Sequence, residues 1–438
     1  MKNYKYLIPA ALVVLMGASV YTMFSNATKK EEEYNGYLKK AREDAKLEVV
    51  EESIENYGKA LVMKDDIDLR IEAGNVYVQN GWTSEAVYWG EQMIEDFPKE
   101  AKAYTFLLEQ YIQEKDYKEC FSLQKQAVGR KAVNDSFQEL ISKIEYKYEM
   151  GLNTYQDVTI YSNDLCAVQS SESGLWGYAK LNGEIEISPK FEWTGAFTGD
   201  GIAPVKTEDG EFYFISDTGN KKLAVQNIKD CEDLGLSING IISAKDGDFY
   251  AYYNQDFEKI AGDYLYATAI NGVGAVQEKK GWYLVDENGE KLTKKAYESV
   301  VTDEKGIVYR NERCFVSSKD QIVMIDKDGN EIGKKKFEDA KLFGEADSYA
   351  AVEIDGKWGF VDKDGNVVIA PQFGNARSFV NGYAAVEIDG KWGFINTDGK
   401  TVIDAVFEDA RDFNRKGRVF VKTEGQWQLL KLLKDNYE

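Results

Sequence analysis

Histidine is absent from all 438 residues of this chain. Histidine is the usual general base near neutral pH and the commonest metal ligand in proteins. A Ser-His-Asp triad, a Cys-His pair and a histidine-based zinc site are therefore excluded within the chain. A pair of carboxylates, as in glycoside hydrolysis, remains open. Since no catalytic, cofactor-binding or metal-binding motif is found either, the sequence predicts no catalytic residues, no cofactor and no metal.

Cysteines are few and far apart, at positions 120, 166, 231 and 314. No Cys-x-x-Cys pair occurs, so a zinc site made of thiolates would require all four to converge. Cys166 and Cys314 lie in apolar, strand-like runs and are interpreted as small core residues. A location outside the cell would permit a disulfide, and the sequence does not decide whether any cysteines pair.

Positively charged residues are also fewer than negatively charged ones. The chain contains 54 lysines and arginines and 75 aspartates and glutamates, which gives a net charge of -21. Such a surface repels polyanions. Nucleic acid is therefore not expected as a partner, and the charge is interpreted as a source of solubility.

One long uncharged run, residues 6–24, follows Lys2 and Lys5. Its length is about that of a bilayer core. Residues 1–28 are therefore predicted to be a signal anchor or a signal peptide. The preceding lysines favour an extracytoplasmic location for the remainder of the chain. We expect a membrane-anchored protein, or a secreted one if the chain is cleaved after Ala27.

Residues 31–150 are rich in helix formers and predict an α-helical domain. Small and aromatic residues recur in phase in two windows of 34 residues, 67–100 and 101–134. They are Gly74, Tyr77, Ala86 and Pro98 in the first window, and Leu108, Tyr111, Cys120 and Ala127 in the second. This pattern resembles the tetratricopeptide repeat, which implies paired helices and a concave surface for a peptide or a partner protein. A generic domain of helical hairpins is the alternative.

Residues 151–438 contain eight units of about 36 residues, marked by two features that keep one phase. The first marker starts at Tyr155, Phe191, Ile228, Tyr264, Tyr297, Phe337, Phe373 and Phe407. The second is centred on Trp176, Phe212, Phe249, Trp282, Ile322, Trp358, Trp392 and Trp427. A fixed period of this length indicates a repeat architecture. In the seventh unit, Asp-Gly pairs separate strand-like runs at Tyr383–Ile388, Lys391–Asn396 and Lys400–Ile403, after a first run at Phe373–Phe379.

The pattern Gly-Lys-Trp-Gly-Phe occurs at Gly356–Phe360 and again at Gly390–Phe394. It resembles the WG-repeat family, and looser copies surround Trp176 and Trp282. The resemblance covers residues 151–438. It implies β-rich repeats that are common in bacterial proteins and that have no established enzymatic activity.

Four short strands in each of eight units fit an eight-bladed β-propeller. An open β-solenoid is the alternative, although it requires caps at both ends. The last unit stops where its fourth strand should form, and in a ring the residues just before Tyr155 would fill that gap. The predicted fold is therefore an α + β multidomain protein, with a membrane segment, a helical domain and an all-β repeat domain in which a ring is favoured.

The second marker is interpreted as structural core between units, because tryptophan is replaced there only by Phe or Ile. Packing tolerates that exchange, whereas stacking on a ligand does not. The glycine after the tryptophan is expected to allow close packing against the neighbouring sheet. Two segments that begin like calcium loops, Asp326–Asn330 and Asp362–Asn366, have glycine at position 4 instead of 6 and are interpreted as turns.

The sequence therefore predicts an extracytoplasmic binding or scaffold protein of the bacterial cell envelope, with a protein or a cell-wall glycan as its partner. Loops at one rim of the ring would carry specificity. A carbohydrate-active enzyme with a carboxylate pair and a purely structural surface spacer are the alternatives.

Overall fold

The computed structural model describes residues 28–344 and 349–434. The predicted membrane segment at residues 6–24 lies outside these ranges. Within them, no helix combines the length and the apolar character needed to cross a membrane. The described residues form two compact units that divide between Lys147 and Tyr148.

The described part of the first unit contains seven helices. They are α1 (28–46), α2 (Val50–Met63), α3 (Ile67–Gln79), α4 (Thr83–Asp96), α5 (Ala101–Gln113), α6 (Tyr117–Arg130) and α7 (Asp135–Ile144). Side chains of Asp66, Asp116 and Asn134 cap α3, α6 and α7 by accepting a backbone N–H of the first turn. The helices α3, α5 and α7 start at residues 67, 101 and 135, which repeats the predicted step of 34 residues. The resemblance to the tetratricopeptide repeat stays a prediction.

Gly74 shows why small residues recur in these helices. A β-carbon at this position would lie 2.8 Å from ring atoms of both Phe106 and Trp89. The Trp89 indole is itself fixed, because Nε1 donates a hydrogen bond to the Arg70 carbonyl at 2.8 Å. Glycine at position 74 therefore lets α3 approach its neighbours α4 and α5 closely.

The described part of the second unit is all-β, and its thirty strands form eight antiparallel sheets. The strands are β1 (Tyr148–Tyr155), β2 (Asp157–Val158), β3 (Leu165–Gln169), β4 (Trp176–Lys180), β5 (Ile185–Phe191), β6 (Trp193–Thr194), β7 (Ile202–Lys206), β8 (Phe212–Ser216), β9 (Lys221–Ala224), β10 (Cys231–Ile238), β11 (Ile241–Asp246), β12 (Phe249–Tyr253), β13 (Lys259–Tyr264), β14 (Tyr266–Ala267), β15 (Gly274–Glu278), β16 (Gly281–Val285), β17 (Ser299–Val300), β18 (Cys314–Ser318), β19 (Gln321–Ile325), β20 (Asp339–Ala340), β21 (Ala350–Ile354), β22 (Lys357–Val361), β23 (Val367–Phe373), β24 (Asn375–Ala376), β25 (Tyr383–Ile388), β26 (Lys391–Asn396), β27 (Thr401–Phe407), β28 (Asp409–Ala410), β29 (Arg418–Thr423) and β30 (Gln426–Leu432).

The sheets follow the sequence order of the eight predicted units. Blades 1 to 7 consist of β2–β5, β6–β9, β10–β13, β14–β16, β17–β19, β20–β23 and β24–β27, and blade 8 consists of β28–β30 together with β1. The two middle strands of the seventh unit, β25 and β26, have the predicted bounds. The first strand is much shorter than predicted, with two residues in β24, and the fourth strand β27 extends to Phe407.

Strand β1 closes the ring. It pairs antiparallel with β30, from Tyr148 opposite Leu432 to Tyr155 opposite Trp427. Blade 8 therefore combines one strand from the start of the unit with three strands from its end. A buried cluster that includes Tyr155, Trp427 and Cys166 joins blades 8 and 1. The closed eight-bladed propeller predicted from the sequence is confirmed, and the alternative of an open solenoid is wrong.

Successive blades pack a face of large side chains against a face of small ones. Between blades 6 and 7, Trp358, Phe360 and Phe373 share a buried cluster with Ala376 and Val386. Trp358 and Phe360 are two residues apart in β22, so their side chains point to the same side of the sheet. At this interface, the repeat thus supplies blade 6 with a bulky face for blade 7.

The glycine that follows the tryptophan has a different role from the one predicted. A β-carbon at Gly359 would lie 2.7 Å from both the Ile369 carbonyl oxygen and the Pro371 nitrogen, which belong to strand β23 of the same blade. Trp358 pairs with Phe373 and Phe360 pairs with Ile369, so β23 has two extra residues that bulge opposite the glycine. The prediction of contact with the neighbouring sheet was wrong, since the nearest atoms belong to the outer strand of the same sheet.

The alternating strand directions define two ends of the propeller. If the strands of a blade are called A to D in sequence order, the A–B and C–D turns lie at one end. The B–C turns and the connections between blades lie at the other end, which we call the B–C face.

Candidate functional site

A cavity of about 430 Å³ opens where the A–B turns of several blades meet. Residues from blades 1, 5, 6, 7 and 8 line it. Because blades 5 and 8 are not neighbours in the ring, side chains of both can meet only near its axis. The cavity is therefore the central opening of the propeller, and we call it the central cavity.

Two arginines that directly follow inner strands converge on one carboxylate in the central cavity. Arg377 directly follows β24 and Arg411 directly follows β28, so they occupy the same position in blades 7 and 8. Nη2 of Arg377 lies 2.6 Å and Nη1 of Arg411 lies 3.4 Å from Oε1 of Glu304. Such charge-assisted hydrogen bonds are the strong ones in proteins. Both guanidinium groups are largely buried.

Each arginine has further partners of its own. Nε of Arg377 lies 2.7 Å from Oδ1 of Asp412. Arg411 donates from Nε to the Val158 carbonyl at 3.1 Å, and its guanidinium stacks over the Trp427 ring at 4.5 Å. Arg411 therefore links blade 8 to blade 1, and a tryptophan of the repeat core supports it by a cation–π contact.

The Glu304 carboxylate is ionised in this setting. Burial opposes its ionisation, but Arg377 and Arg411 outweigh that effect and hold the pKa of Glu304 below its usual range. A general acid in glycoside hydrolysis requires the opposite shift, because it must stay protonated near neutral pH. The carboxylate at the centre of the cavity is therefore suited to charge pairing and not to proton donation.

Glu304 reaches the centre through an extended loop that is special to blade 5. The connection from β17 to β18 comprises residues 301–313, whereas the equivalent connections in blades 1 and 7 are residues 159–164 and 377–382. This insertion accounts for the longest step of the repeat, the 40 residues from Trp282 to Ile322.

Asp303 gives the blade 5 loop its shape. Its Oδ1 accepts the backbone N–H groups of Lys305 and Ile307 at 2.9 and 3.0 Å. Its Oδ2 lies 2.8 Å from Nη2 of Arg310, whose side chain is buried. At the position that Asp303 occupies relative to the first marker, blades 6 to 8 have a buried phenylalanine. Phe379 is the example in blade 7. Sequence reasoning missed this site, and the 40-residue step was the available signal.

The eight residues of the predicted core row differ in burial. Trp358 and Trp427 are buried, Trp176, Phe212, Trp282, Ile322 and Trp392 are partly buried, and Phe249 is exposed over 46% of its surface. The residue two positions later is buried in every blade, a feature that the sequence reasoning did not use. These residues are Tyr178, Phe214, Ala251, Leu284, Met324, Phe360, Phe394 and Leu429. Strand alternation, which places both positions on one side of the sheet, was the signal for them.

A second candidate site lies on the B–C face of blades 2 to 4. Trp193 and Tyr266 are the first residues of the inner strands β6 and β14, and they are 38% and 41% exposed. Blades 1, 5, 6, 7 and 8 begin the same strand with Asp157, Ser299, Asp339, Asn375 and Asp409. Exposed Phe249 lies at the B–C turn of the blade between them. We call Trp193, Phe249 and Tyr266 the aromatic patch.

Neighbouring rings extend the aromatic patch. Tyr266 contacts Tyr250 and Trp282 with ring centroids 4.7 and 5.8 Å apart, and Trp193 contacts Phe212 at 6.3 Å. These contacts fix the orientation of the Trp193 and Tyr266 rings before any partner arrives.

Carboxylates are frequent on the same face of blades 2 and 3. The segments 207–211, 229–233 and 246–249 connect strands at the B–C face, and together they contain eight aspartates and glutamates and one lysine. Two of these carboxylates, Glu211 and Glu232, pair with lysines of their own blades. The hydroxyl of Tyr250 donates to Asp233 at 2.8 Å. The patch is therefore an aromatic surface in an acidic setting.

The segments that resemble calcium loops form turns, as predicted. Oδ1 of Asp326 accepts the backbone N–H groups of Asp328 and Asn330, and Asp362 does the same in its own turn. Gly329 and Gly365 have φ values of +84° and +80°, which glycine adopts without strain. The carboxylates of Asp326 and Asp362 thus accept hydrogen bonds from the backbone of their own turns.

The predicted core cysteines lie in the sheets. Cys166 in β3 and Cys314 in β18 are buried, and all four cysteines are free thiols.

Comparison with protein families agrees with the repeat pattern. The family model of the WG containing repeat matches residues 176–210, 324–358, 358–392 and 392–427. WG repeats therefore occur at four places in the C-terminal unit. Each match runs from one core-row position to about the next, so a WG repeat covers the last two strands of one blade and the first two of the following blade.

Comparison with curated proteins gives no match. Among solved structures, BamB from Moraxella catarrhalis aligns with 13% identity and a TM-score of 0.44, covering 66% of this chain and 97% of that one. Hsv2p from Kluyveromyces lactis aligns with 12% identity and a TM-score of 0.39, covering 56% and 93%. The Sgt2 TPR domain from Aspergillus fumigatus aligns with 16% identity and a TM-score of 0.22, covering 25% and 76%. These similarities are too low to carry an argument, so the propeller rests on the strand pairing of the WG-repeat unit itself.

Proposed function

We propose that this protein is a binding or scaffold protein of the bacterial cell envelope, and that the aromatic patch holds a partner protein through lysine or arginine side chains. The observation that carries the proposal is the exposure of Trp193 and Tyr266 where five other blades have aspartate, asparagine or serine. A cation over an exposed aromatic ring gains about 0.5–1 kcal/mol. The carboxylates on the same face attract a basic segment from a distance and hold it near the rings.

The carboxylate-pair enzyme is the weaker alternative. Glu304 and Asp412 both line the central cavity, and Arg377 pairs with both. The lowered pKa of Glu304 disfavours the protonated acid that hydrolysis needs. A purely structural spacer is disfavoured because it gives no reason for exposing three large aromatic side chains on one face.

Replacing the two inner-strand aromatics tests the proposed patch. In the variant Trp193→Asn/Tyr266→Asn, both positions receive the residue that blade 7 has there, Asn375, so the strand geometry is preserved. We expect affinity for a fluorescent lysine-rich peptide to fall about tenfold, which corresponds to losing two exposed cation–π contacts. Fluorescence anisotropy measures this change.

Val368→Asn provides the matched control, because Val368 is an exposed apolar residue on the outer strand of blade 6. It should bind the peptide like the wild type. Equal binding by the double variant would eliminate the patch as the site. Binding of cell-wall glycan fragments at the patch without any binding of the basic peptide would favour the glycan alternative.

We propose an extracytoplasmic location on the basis of the uncharged run at residues 6–24 and the lysines before it. Expressed in a Gram-positive host, the full chain is expected to sediment with membranes. Protease added to intact cells should digest the propeller, as followed by immunoblotting. Recovery of intact, protease-protected protein from the cytosol would contradict this location.

A further inference from the structure

Glu304 occupies the central cavity in the way that a bound ligand would. It belongs to the blade 5 loop, but its carboxylate lies between arginines of blades 7 and 8. The pairs are 73 and 107 residues apart in sequence. The loop therefore presents a glutamate side chain, carried by a peptide, to a pair of arginines that lie elsewhere in the ring.

The arginine pair is held in place independently of Glu304. Arg411 is fixed by the Val158 carbonyl, by the ring of Trp427 and by Asp157, whose Oδ1 lies 3.3 Å from its Nη2. Arg377 is fixed by Asp412. Both guanidinium groups would thus keep their positions if Glu304 left, and such preorganisation favours binding.

Glu304, in contrast, is replaceable. Its contacts to the arginines are made by Oε1, and its side chain is 37% exposed. Asp303 and Arg310 hold the loop through contacts that do not involve the Glu304 side chain. A rotation of the Glu304 side chain is therefore enough to vacate the arginine pair, and the cavity of about 430 Å³ has room for an incoming side chain.

We propose that Arg377 and Arg411 form a binding site for a carboxylate of an acidic peptide segment, and that Glu304 is its built-in competitor. A peptide is the expected ligand because the group already seated there is a glutamate on a peptide loop. The apparent affinity for the peptide is the intrinsic affinity multiplied by the fraction of molecules in which the Glu304 side chain has left the arginines. This site lies at the opposite end of the blades from the aromatic patch and does not depend on the function proposed for it.

Neutralising the competitor tests this proposal. The probe is a fluorescent peptide with the sequence of residues 301–307, and its counterpart has glutamine in place of the glutamate. In the full chain, Glu304→Gln is expected to bind the glutamate peptide at least about tenfold more tightly than the wild type, as expected when an intramolecular competitor of millimolar effective concentration is weakened. The glutamine peptide, which keeps only the Asp303 carboxylate, should bind both proteins more weakly than the glutamate peptide.

Two further variants define the site. Glu312→Gln changes a glutamate of the same loop that pairs with neither arginine in the described structure, and its binding should equal that of the wild type. Glu304→Gln/Arg377→Gln should lose the gained affinity. Free glutarate should compete only at much higher concentrations than the peptide, whereas equal competition would assign the site to small dicarboxylates and overturn the peptide proposal.

Thermal melting shows whether Glu304→Gln is folded. Should it melt early, Glu304→Asp provides the second measurement, because it keeps the charge but shortens the reach to the arginines, and it too should bind the peptide more tightly. If folded variants at position 304 bind the peptide no better than the wild type, Glu304 is only a structural ion pair and the proposal is overturned.

Discussion

Removing strand β1 is expected to lower the melting temperature of the whole propeller by more than about 10 °C. The strand supplies the outer edge of blade 8, and its last residue, Tyr155, is buried against blade 1. Losing a large buried aromatic costs about 3–5 kcal/mol, and each lost strand hydrogen bond adds about 1 kcal/mol. A loss above about 5 kcal/mol corresponds to more than 10 °C at roughly 2 °C per kcal/mol for a unit of this size.

The experiment compares two fragments that differ only in this strand, one starting at Tyr148 and one at Gln156. The first keeps all five residue pairs with β30, from Tyr148 opposite Leu432 to Tyr155 opposite Trp427. Calorimetry should show one cooperative transition in both fragments, shifted down in the shorter one, because opening the ring exposes edges on both sides of the gap. If the shorter fragment melted at the same temperature, β1 would be dispensable and closure would not stabilise the ring.

The sequence was sufficient to predict the number of blades and the closure of the ring. Both followed from period and phase, because every unit repeats its own turn and strand signals. The inner strands were predicted too long, since β24 has only two residues where Phe373–Phe379 was expected. Hydrophobic pattern does not reveal this, because Phe379 is buried whether or not its backbone is paired in a strand.

The central cavity could not be predicted in the same way. It depends on side chains from blades 5, 7 and 8 that meet only when the ring closes. The sequence contains two partial signals, which are the long step from Trp282 to Ile322 and the basic residues Lys341, Arg377 and Arg411 at one phase of three successive units. Neither signal identifies Glu304 as the partner of Arg377 and Arg411, because that requires knowing where the inserted loop folds.

The aromatic patch is a different case, because its signal was present in the alignment of the units. Trp193 and Tyr266 lie where other units have Asp, Asn or Ser. Exposed aromatic side chains at a position that is otherwise polar indicate a binding surface. The shared phase of the repeat predicts the core, whereas these two positions depart from it. In a repeat protein the shared residues form the core, whereas binding residues are found among the exceptions.

Trp358→Ala and Phe249→Ala are expected to have opposite consequences, although the two residues occupy the same position of the repeat. Trp358 is 5% exposed and belongs to the cluster between blades 6 and 7. Its truncation should cost about 3–5 kcal/mol, the range for large core aromatics. Phe249 is 46% exposed, so its truncation should change the free energy of unfolding by no more than about 0.5 kcal/mol.

Urea unfolding followed by circular dichroism measures both free energies, with the slope of the transition checked for constancy so that midpoints can be compared. Trp392, which is only partly buried, provides an intermediate case, and its alanine variant should fall between the other two. Phe249→Ala should instead weaken binding of the lysine-rich peptide, because Phe249 is part of the aromatic patch. Equal destabilisation by Trp358→Ala and Phe249→Ala would mean that burial does not govern this row. If Trp358→Ala and Phe249→Ala lost peptide binding equally, the predicted core row, and not the aromatic patch, would contact the partner.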